Sequence, residues 1–179
     1  MFKVIEINNQ NKPDLNKANQ PFEITGDLNI EFNNGKWSFS EVLSNTKSYK
    51  QYPNYDGATA DDYISSTNRT AFFAYYNTEC IGQILLAKTW NNYAHIEDIS
   101  VAKEYRSRGV GTLLLANAYN WAKSKNLKAI SLECQTNNIL ATRFFHKNGF
   151  EIGGVNTKLY AMLGKSYEKE TAVFWYKNL

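Results

Sequence analysis

Residues 105 to 115, YRSRGVGTLLL, place two arginines and two glycines immediately ahead of a leucine run. Glycine lets backbone N–H groups approach a ligand closely, and the first turn of a helix presents N–H groups with no intrahelical partner and a partial positive charge. That combination suits a phosphate. Two familiar phosphate loops do not fit. No Lys-Ser or Lys-Thr follows Gly109 or Gly111, which excludes the G-x-x-x-x-G-K-[ST] loop. The third position of a dinucleotide G-x-G-x-x-G fingerprint is Leu114. What remains is Arg106-x-x-Gly109-x-Gly111, a short pattern that gains meaning from its surroundings.

The elements around it predict a mixed α/β layer structure. "TAFFAYY", the turn "NTE" and "CIGQILLAK" read as a β-hairpin. In "AHIEDISV" the apolar spacing slips once between Ile96, Ile99 and Val101, which predicts a β-bulge near Glu97 and Asp98. "TLLLANAYNWAKSKN" has helical spacing and stops at Asn126. "KAISLECQ" alternates as a strand, "NILATRFFHKNG" is a helix ending at Gly149, and "FEIGGV" and "TAVFWYK" are closing strands. Upstream, "FKVIEI" is a first strand. Ser38 and Glu41 match a capping box and predict a helix over about 39–47; Thr59 and Asp62 repeat the logic before "YISS". The segment "YKQYPNYDG", with Tyr49, Tyr52 and Tyr55 beside Pro53 and Gly57, suits a shaped surface loop.

A chain of 179 residues that is 43% apolar and 15% aromatic is a folded globule with one real core. A net charge of +3 without basic blocks gives no support to nucleic-acid or membrane binding. Cys80 and Cys134 lie in apolar strands and read as packing residues. No N-terminal hydrophobic leader or run of about 18 apolar residues is visible, so the expected location is cytoplasmic.

The strand ending in Val101, the Arg106 to Gly111 loop, the next helix and strand, and "NNILATRFFHKNGF" together resemble the GNAT superfamily of acetyl-CoA-dependent N-acetyltransferases. "WSFSEVL", "WNNYAHIEDISV", "NTKLYAML" and "AVFWY" extend the resemblance to the streptothricin acetyltransferases within it. The resemblance implies a mostly antiparallel central sheet flanked by helices in a single domain spanning 1–179. An acceptor-side part would occupy 1–69 and the acetyl-CoA-binding core 70–179. It implies that Arg106, Ser107, Arg108, Gly109, Val110, Gly111 and Thr112 cradle the pyrophosphate of acetyl-CoA, chiefly through backbone N–H groups. Ile99, Ser100 and Val101 would pair their backbone with the pantetheine arm, and Asn138 would bond the cofactor, cap the next helix, or do both. No metal is implied. The implied partner is a small-molecule amine, streptothricin acetylated on its β-lysine moiety, with no nucleic acid and no membrane. A second copy of the chain is a candidate homodimer partner. A polyamine or other small-amine acetyltransferase is the alternative within the enzyme class, and a non-catalytic acetyl-CoA sensor the alternative outside it.

An alkyl amine of pKa about 10.4 is neutral in only about one molecule in a few thousand at pH 7, so proton removal matters. Glu97, at the bulge, is the expected proton acceptor; Asp98 is its neighbour and alternative. The family pattern often places a tyrosine as general acid where this chain has Phe145. Tyr160 is a candidate substitute and His146 a weaker one; departure of the thiolate without an acid is the alternative. Asp56, Asp61, Asp62 and the tyrosines of 49–63 are candidate cation contacts.

Overall fold

The computed structural model describes residues 1–164, 167–168 and 170–179. The chain divides into two compact units: Met1–Phe22, Gln51–Ile130 and Asn178–Leu179 form the first, Glu23–Lys50 and Ser131–Lys177 the second.

Within the first unit the strands β1 (Phe2–Glu6), β4 (Arg69–Tyr76), β5 (Glu79–Lys88) and β6 (Tyr93–Val101) lie side by side in the order β1-β4-β5-β6. Each neighbouring pair is antiparallel. β5 is buried from Ile81 to Ala87 without alternation, because both of its faces are covered. On one face Leu85 joins Ala71, Phe73, Tyr75 and Tyr63 in a buried cluster against which Leu15, Tyr55 and Ile64 pack. Tyr63 belongs to the helix α1 (Ala60–Ser65), whose capping box pairs Thr59 with Asp62 as the sequence predicts. The other face carries the helix α2 (Val110–Ser124). A side chain at Gly82 would come within 3.1 Å of Val110 and 3.2 Å of Leu114, so glycine there lets the start of α2 lie close to β5.

The second unit holds a two-stranded hairpin of β2 (Phe22–Asn33, entered from the first unit) and β3 (Lys36–Lys50). It also holds the helix α3 (Ile139–Lys147) and the strands β7 (Ala129–Gln135), β8 (Glu151–Asn156) and β9 (Ala172–Asn178), ordered β7-β9-β8. β8 and β9 are antiparallel. Its interior contains the fully buried Trp175 and Phe150.

Residues 39–47 are strand, not the helix predicted from Ser38 and Glu41. Asn34 and Gly35 both adopt positive φ, 52° and 77°, which makes the two-residue turn that joins β2 to β3. The half-buried residues then fall at Trp37, Phe39 and Glu41, a period of two. Phe39 meets the rings of His146 and Trp175 with centroids 5.2 and 5.9 Å away. Strand packing of this kind outweighs a local cap. Among the described residues no helix is long and apolar enough to cross a membrane.

Candidate active site

The loop between β6 and α2 has a fixed internal frame. A short 3-10 turn, Lys103–Tyr105, leads into Arg106, whose guanidinium donates to the carbonyls of Val101 (2.9 Å), Pro21 (2.8 Å) and Gln20 (3.0 Å). Arg106 is therefore a brace for its own loop, and Arg108 lies 5.6 Å from the ring centre of Tyr105. Ser107 and Gly109 have positive φ, 61° and 87°, and Gly109 is the N-cap of α2. The first intrahelical bond runs from Leu113 N–H to Gly109 O at 3.0 Å. That geometry leaves the N–H groups of Gly109, Val110, Gly111 and Thr112 without helical acceptors. No atom lies within 4 Å of where a side chain on Gly109 would begin. N–H donors without helical acceptors, beside open space and at the positive end of a 15-residue helix, suit a phosphate.

Upstream of that loop, Ile99, Ser100 and Val101 pair with Ile84, Gln83 and Gly82. The register slips between Leu85, opposite Asp98, and Leu86, opposite Ile96, so Glu97 is the extra residue of a bulge. The bulge turns Glu97 and Asp98 to one face. Glu97 accepts from Tyr55 Oη (2.8 Å), Tyr63 Oη (2.7 Å) and Arg69 Nη1 (2.7 and 2.8 Å to its two oxygens), and its side chain is only 7% exposed. Arg69 reaches it because Arg69 pairs with Ala87 and Ala87 with His95, two residues before Glu97. Burial lowers the pKa of His95, with the charge of Glu97 acting in the opposite direction.

Asp98 accepts from Gln83 Nε2 at 2.6 Å and from Ser100 Oγ at 3.3 Å, and Gln83 is fully buried and also bonded to Asn16. Burial raises the Asp98 pKa, and the bonds from Gln83 and Ser100 only partly oppose it. The sign for stability follows. A carboxyl whose folded pKa exceeds its unfolded value, about 3.9, stabilises the fold fully below that value and loses this contribution as pH rises through the folded pKa. Asp98→Asn is thus expected to gain in Tm relative to the unmodified chain as pH rises from about 4 to neutral. Parallel Tm curves across that range, measured by circular dichroism, would contradict the assignment.

In the second unit, Asn138 caps α3 by accepting from Ala141 N–H at 3.1 Å. Phe145, at 3% exposure, is wedged against Phe144 and Phe150. His146 is exposed, its ring against Phe39. Tyr160 donates to Glu133, a half-buried carboxylate on β7 whose pKa burial raises while Tyr160 and Lys50 lower it. Lys50 in turn holds Glu170 (2.5 Å) and Gln135 (2.9 Å). Glu133, Lys50 and Glu170 were not singled out in the sequence, where each is an ordinary charge in its own segment; only the pairing of distant segments makes them a cluster.

Of the acidic residues in 49–63, Asp62 is committed to capping α1, Asp61 pairs with Lys12 at 2.8 Å, and Asp56 is exposed. Tyr49 lies on β3, while Tyr52 and Tyr55 lie in the loop that follows it. Cys134 is buried and Cys80 half-buried; burial pushes their thiols up to about 12 and about 11, so neither is a thiolate at neutral pH. Among the described residues no group of His, Cys, Asp or Glu is arranged to hold a metal ion.

The family model for the acetyltransferase (GNAT) family matches residues 36–150. Streptothricin acetyltransferase A of Bacillus subtilis (strain 168) is 39% identical over 173 residues, which cover 97% of this chain and 98% of that relative. This chain belongs to the GNAT acetyltransferase family. A streptothricin acetyltransferase of Escherichia coli is 38% identical over 119 residues, 64% of this chain and 68% of the other. A crystal structure of a Bacillus anthracis str. Ames protein in complex with acetyl coenzyme A has a TM-score of 0.91 over 100% of both chains at 32% identity. The mixed α/β architecture is accordingly the GNAT fold.

As a GNAT enzyme the chain is an acetyl-CoA-dependent N-acetyltransferase. The start of α2 fits this co-substrate, since its pyrophosphate asks for converging N–H donors and room above them. When bound, acetyl-CoA supplies the acetyl group as a thioester. Before it attacks that thioester, the acceptor ammonium must lose a proton.

Proposed function

We propose that this GNAT acetyltransferase acts in the cytoplasm on a primary amine of a small polycation, and that its acceptor is the β-lysine amine of streptothricin. The observation that carries this reading is the length of the similarity: it runs along nearly the whole chain, and so takes in the acceptor-side segment from which Tyr55 and Tyr63 reach Glu97. A relative sharing only the phosphate loop would speak for the co-substrate alone.

In this reading Ile99, Ser100, Val101 and the stretch Ser107 to Thr112 hold acetyl-CoA, Arg106 serves it by bracing that loop, and Asn138 supports it from the N-cap of α3. Glu97 takes the amine proton. Tyr160 returns a proton to the thiolate, a part that Phe145 cannot play because a phenyl ring has none to give. A thiol has a pKa of only about 8.5 and its thiolate leaves readily, so Tyr160→Phe is expected to lower turnover by about 10²-fold, the low end of the general-acid range, at unchanged acetyl-CoA affinity. Wild-type turnover in that variant would remove Tyr160 from the mechanism.

The experiment that tests the function is acetyl-CoA-dependent thiol release with streptothricin, spermidine, an aminoglycoside and a lysine peptide, each followed by mass spectrometry of the product. Streptothricin is expected to give the highest kcat/KM and an acetylated product. Turnover of spermidine with none of streptothricin would transfer the assignment to the polyamine class.

A further inference from the structure

Glu97 is almost wholly enclosed by its own partners. Its side chain is 7% exposed, and both oxygens are covered by Arg69, Tyr55 and Tyr63. These three are the protein groups that touch the carboxylate, so a proton relayed by the chain itself arrives through one of them. Arg69 has none to exchange, because a guanidinium stays protonated at all relevant pH. Tyr63 is 2% exposed within the core cluster on α1. Tyr55 is the half-exposed member, carried on the loop that precedes α1.

Tyr55 is also seated by its own neighbour. A side chain on Gly57 would collide with the Tyr55 hydroxyl and come within 2.6 Å of its Cζ, so the missing Cβ of Gly57 is the notch in which the phenol rests. With that room the hydroxyl sits 2.8 Å from Glu97 Oε1.

We propose that Tyr55 is a catalytic residue of this enzyme, the relay through which the proton of the acceptor ammonium reaches Glu97. The proposal rests on the reading of Glu97 as proton acceptor. In the step, the N–H bond of the ammonium breaks and its proton bonds to Tyr55 Oη, while the Tyr55 O–H bond breaks and that proton bonds to Glu97 Oε1. The amine keeps its lone pair and becomes neutral, Tyr55 is a phenol again, and Glu97 becomes a neutral carboxyl. One positive and one negative charge cancel, and no other reactant is required. The groups facing the relay are Glu97, Arg69 and Tyr63, with His95 acting on Glu97 along β6. Burial and Glu97 raise the Tyr55 pKa, which keeps it a phenol at rest, while Arg69 favours the charge that develops on its oxygen during transfer.

The test is a double-mutant cycle on the full chain, with acetyl-CoA and streptothricin, or spermidine where streptothricin is not turned over. Tyr55→Phe is expected to lower kcat by about 10- to 100-fold at unchanged acetyl-CoA affinity, within the range of positioned proton transfer. Relay and acceptor act in series, so Tyr55→Phe combined with Glu97→Gln should be no slower than the slower single variant. Gly57→Ala, which displaces the hydroxyl without deleting it, should reproduce most of the defect, and it carries the test should Tyr55→Phe fail to fold. Wild-type kcat in Tyr55→Phe beside a slow Glu97→Gln would overturn the relay and spare the acceptor. Wild-type kcat in Glu97→Gln would overturn the acceptor and the relay with it. Defects that multiply in the double variant would also overturn the relay, since they would mean that Tyr55 acts elsewhere.

Discussion

Gly109→Val is expected to weaken acetyl-CoA binding by at least about 100-fold in a chain that still folds. Gly109 has φ 87° and ψ −4°, a left-handed conformation that a β-branched residue adopts only under strain. That strain is of order 1–3 kcal/mol, less than the stability of an ordinary domain, so the fold survives with a lower Tm. Nothing in the chain stands within 4 Å of the new Cβ. The valine methyls would therefore project into the open space above the N–H groups of α2, where phosphate oxygens must come. Losing one or two charge-assisted hydrogen bonds at about 1.5–3 kcal/mol each accounts for a factor of about 100. Gly111→Val, two residues into the same turn, is expected to act in the same direction. Titration calorimetry with acetyl-CoA, checked against thermal unfolding, reads the result; wild-type affinity in both variants would remove the phosphate seat from this loop.

Glu97→Gln is expected to lower turnover at pH 7 by 10- to 1,000-fold while acetyl-CoA affinity stays the same. Making an alkyl ammonium neutral costs about 4–5 kcal/mol at that pH, and a carboxylate that accepts the proton offsets part of it. Glutamine keeps one acceptor oxygen where the carboxylate offers Oε1 to Tyr55 and Oε2 to Tyr63, and it cannot take a proton. It also leaves Arg69, 31% exposed, without its charged partner, which solvent partly compensates. The deficit should shrink as pH approaches the pKa of the amine, because more of the acceptor is then already neutral. Initial rates of thiol release from pH 6.5 to 9.5 give the comparison, and wild-type rates at pH 7 would return Glu97 to a purely structural role.

The parts of this site that could be seen in the sequence are those set by local spacing. The slip between Ile96 and Ile99 betrays the bulge because a pleat tolerates no odd step, and Arg106-x-x-Gly109-x-Gly111 marks a helix start because each residue acts within one turn. The Thr59–Asp62 capping box is local in the same sense. Ser38 and Glu41 show the limit: a cap signal was present, yet Asn34-Gly35, a strong hairpin signal, stood just upstream and the alternation of Trp37, Phe39 and Glu41 followed it. The partners of Glu97 were out of reach for another reason. Arg69 meets it only through two strand registers, and Tyr55 only because Gly57 leaves room for a phenol, so neither contact has a signature in sequence spacing. Arg106 was legible as a loop residue, but its use as a brace for Gln20 and Pro21 depends on where the N-terminal segment returns.

Acetyl is expected to pass from acetyl-CoA to a β-lysine amine of streptothricin, and tandem mass spectrometry of streptothricin after incubation with the enzyme and acetyl-CoA tests this most directly. The expected result is one acetyl group on a β-lysine nitrogen for each CoA thiol released. Thiol release with streptothricin left unmodified, or acetyl placed outside the β-lysine moiety, would contradict it.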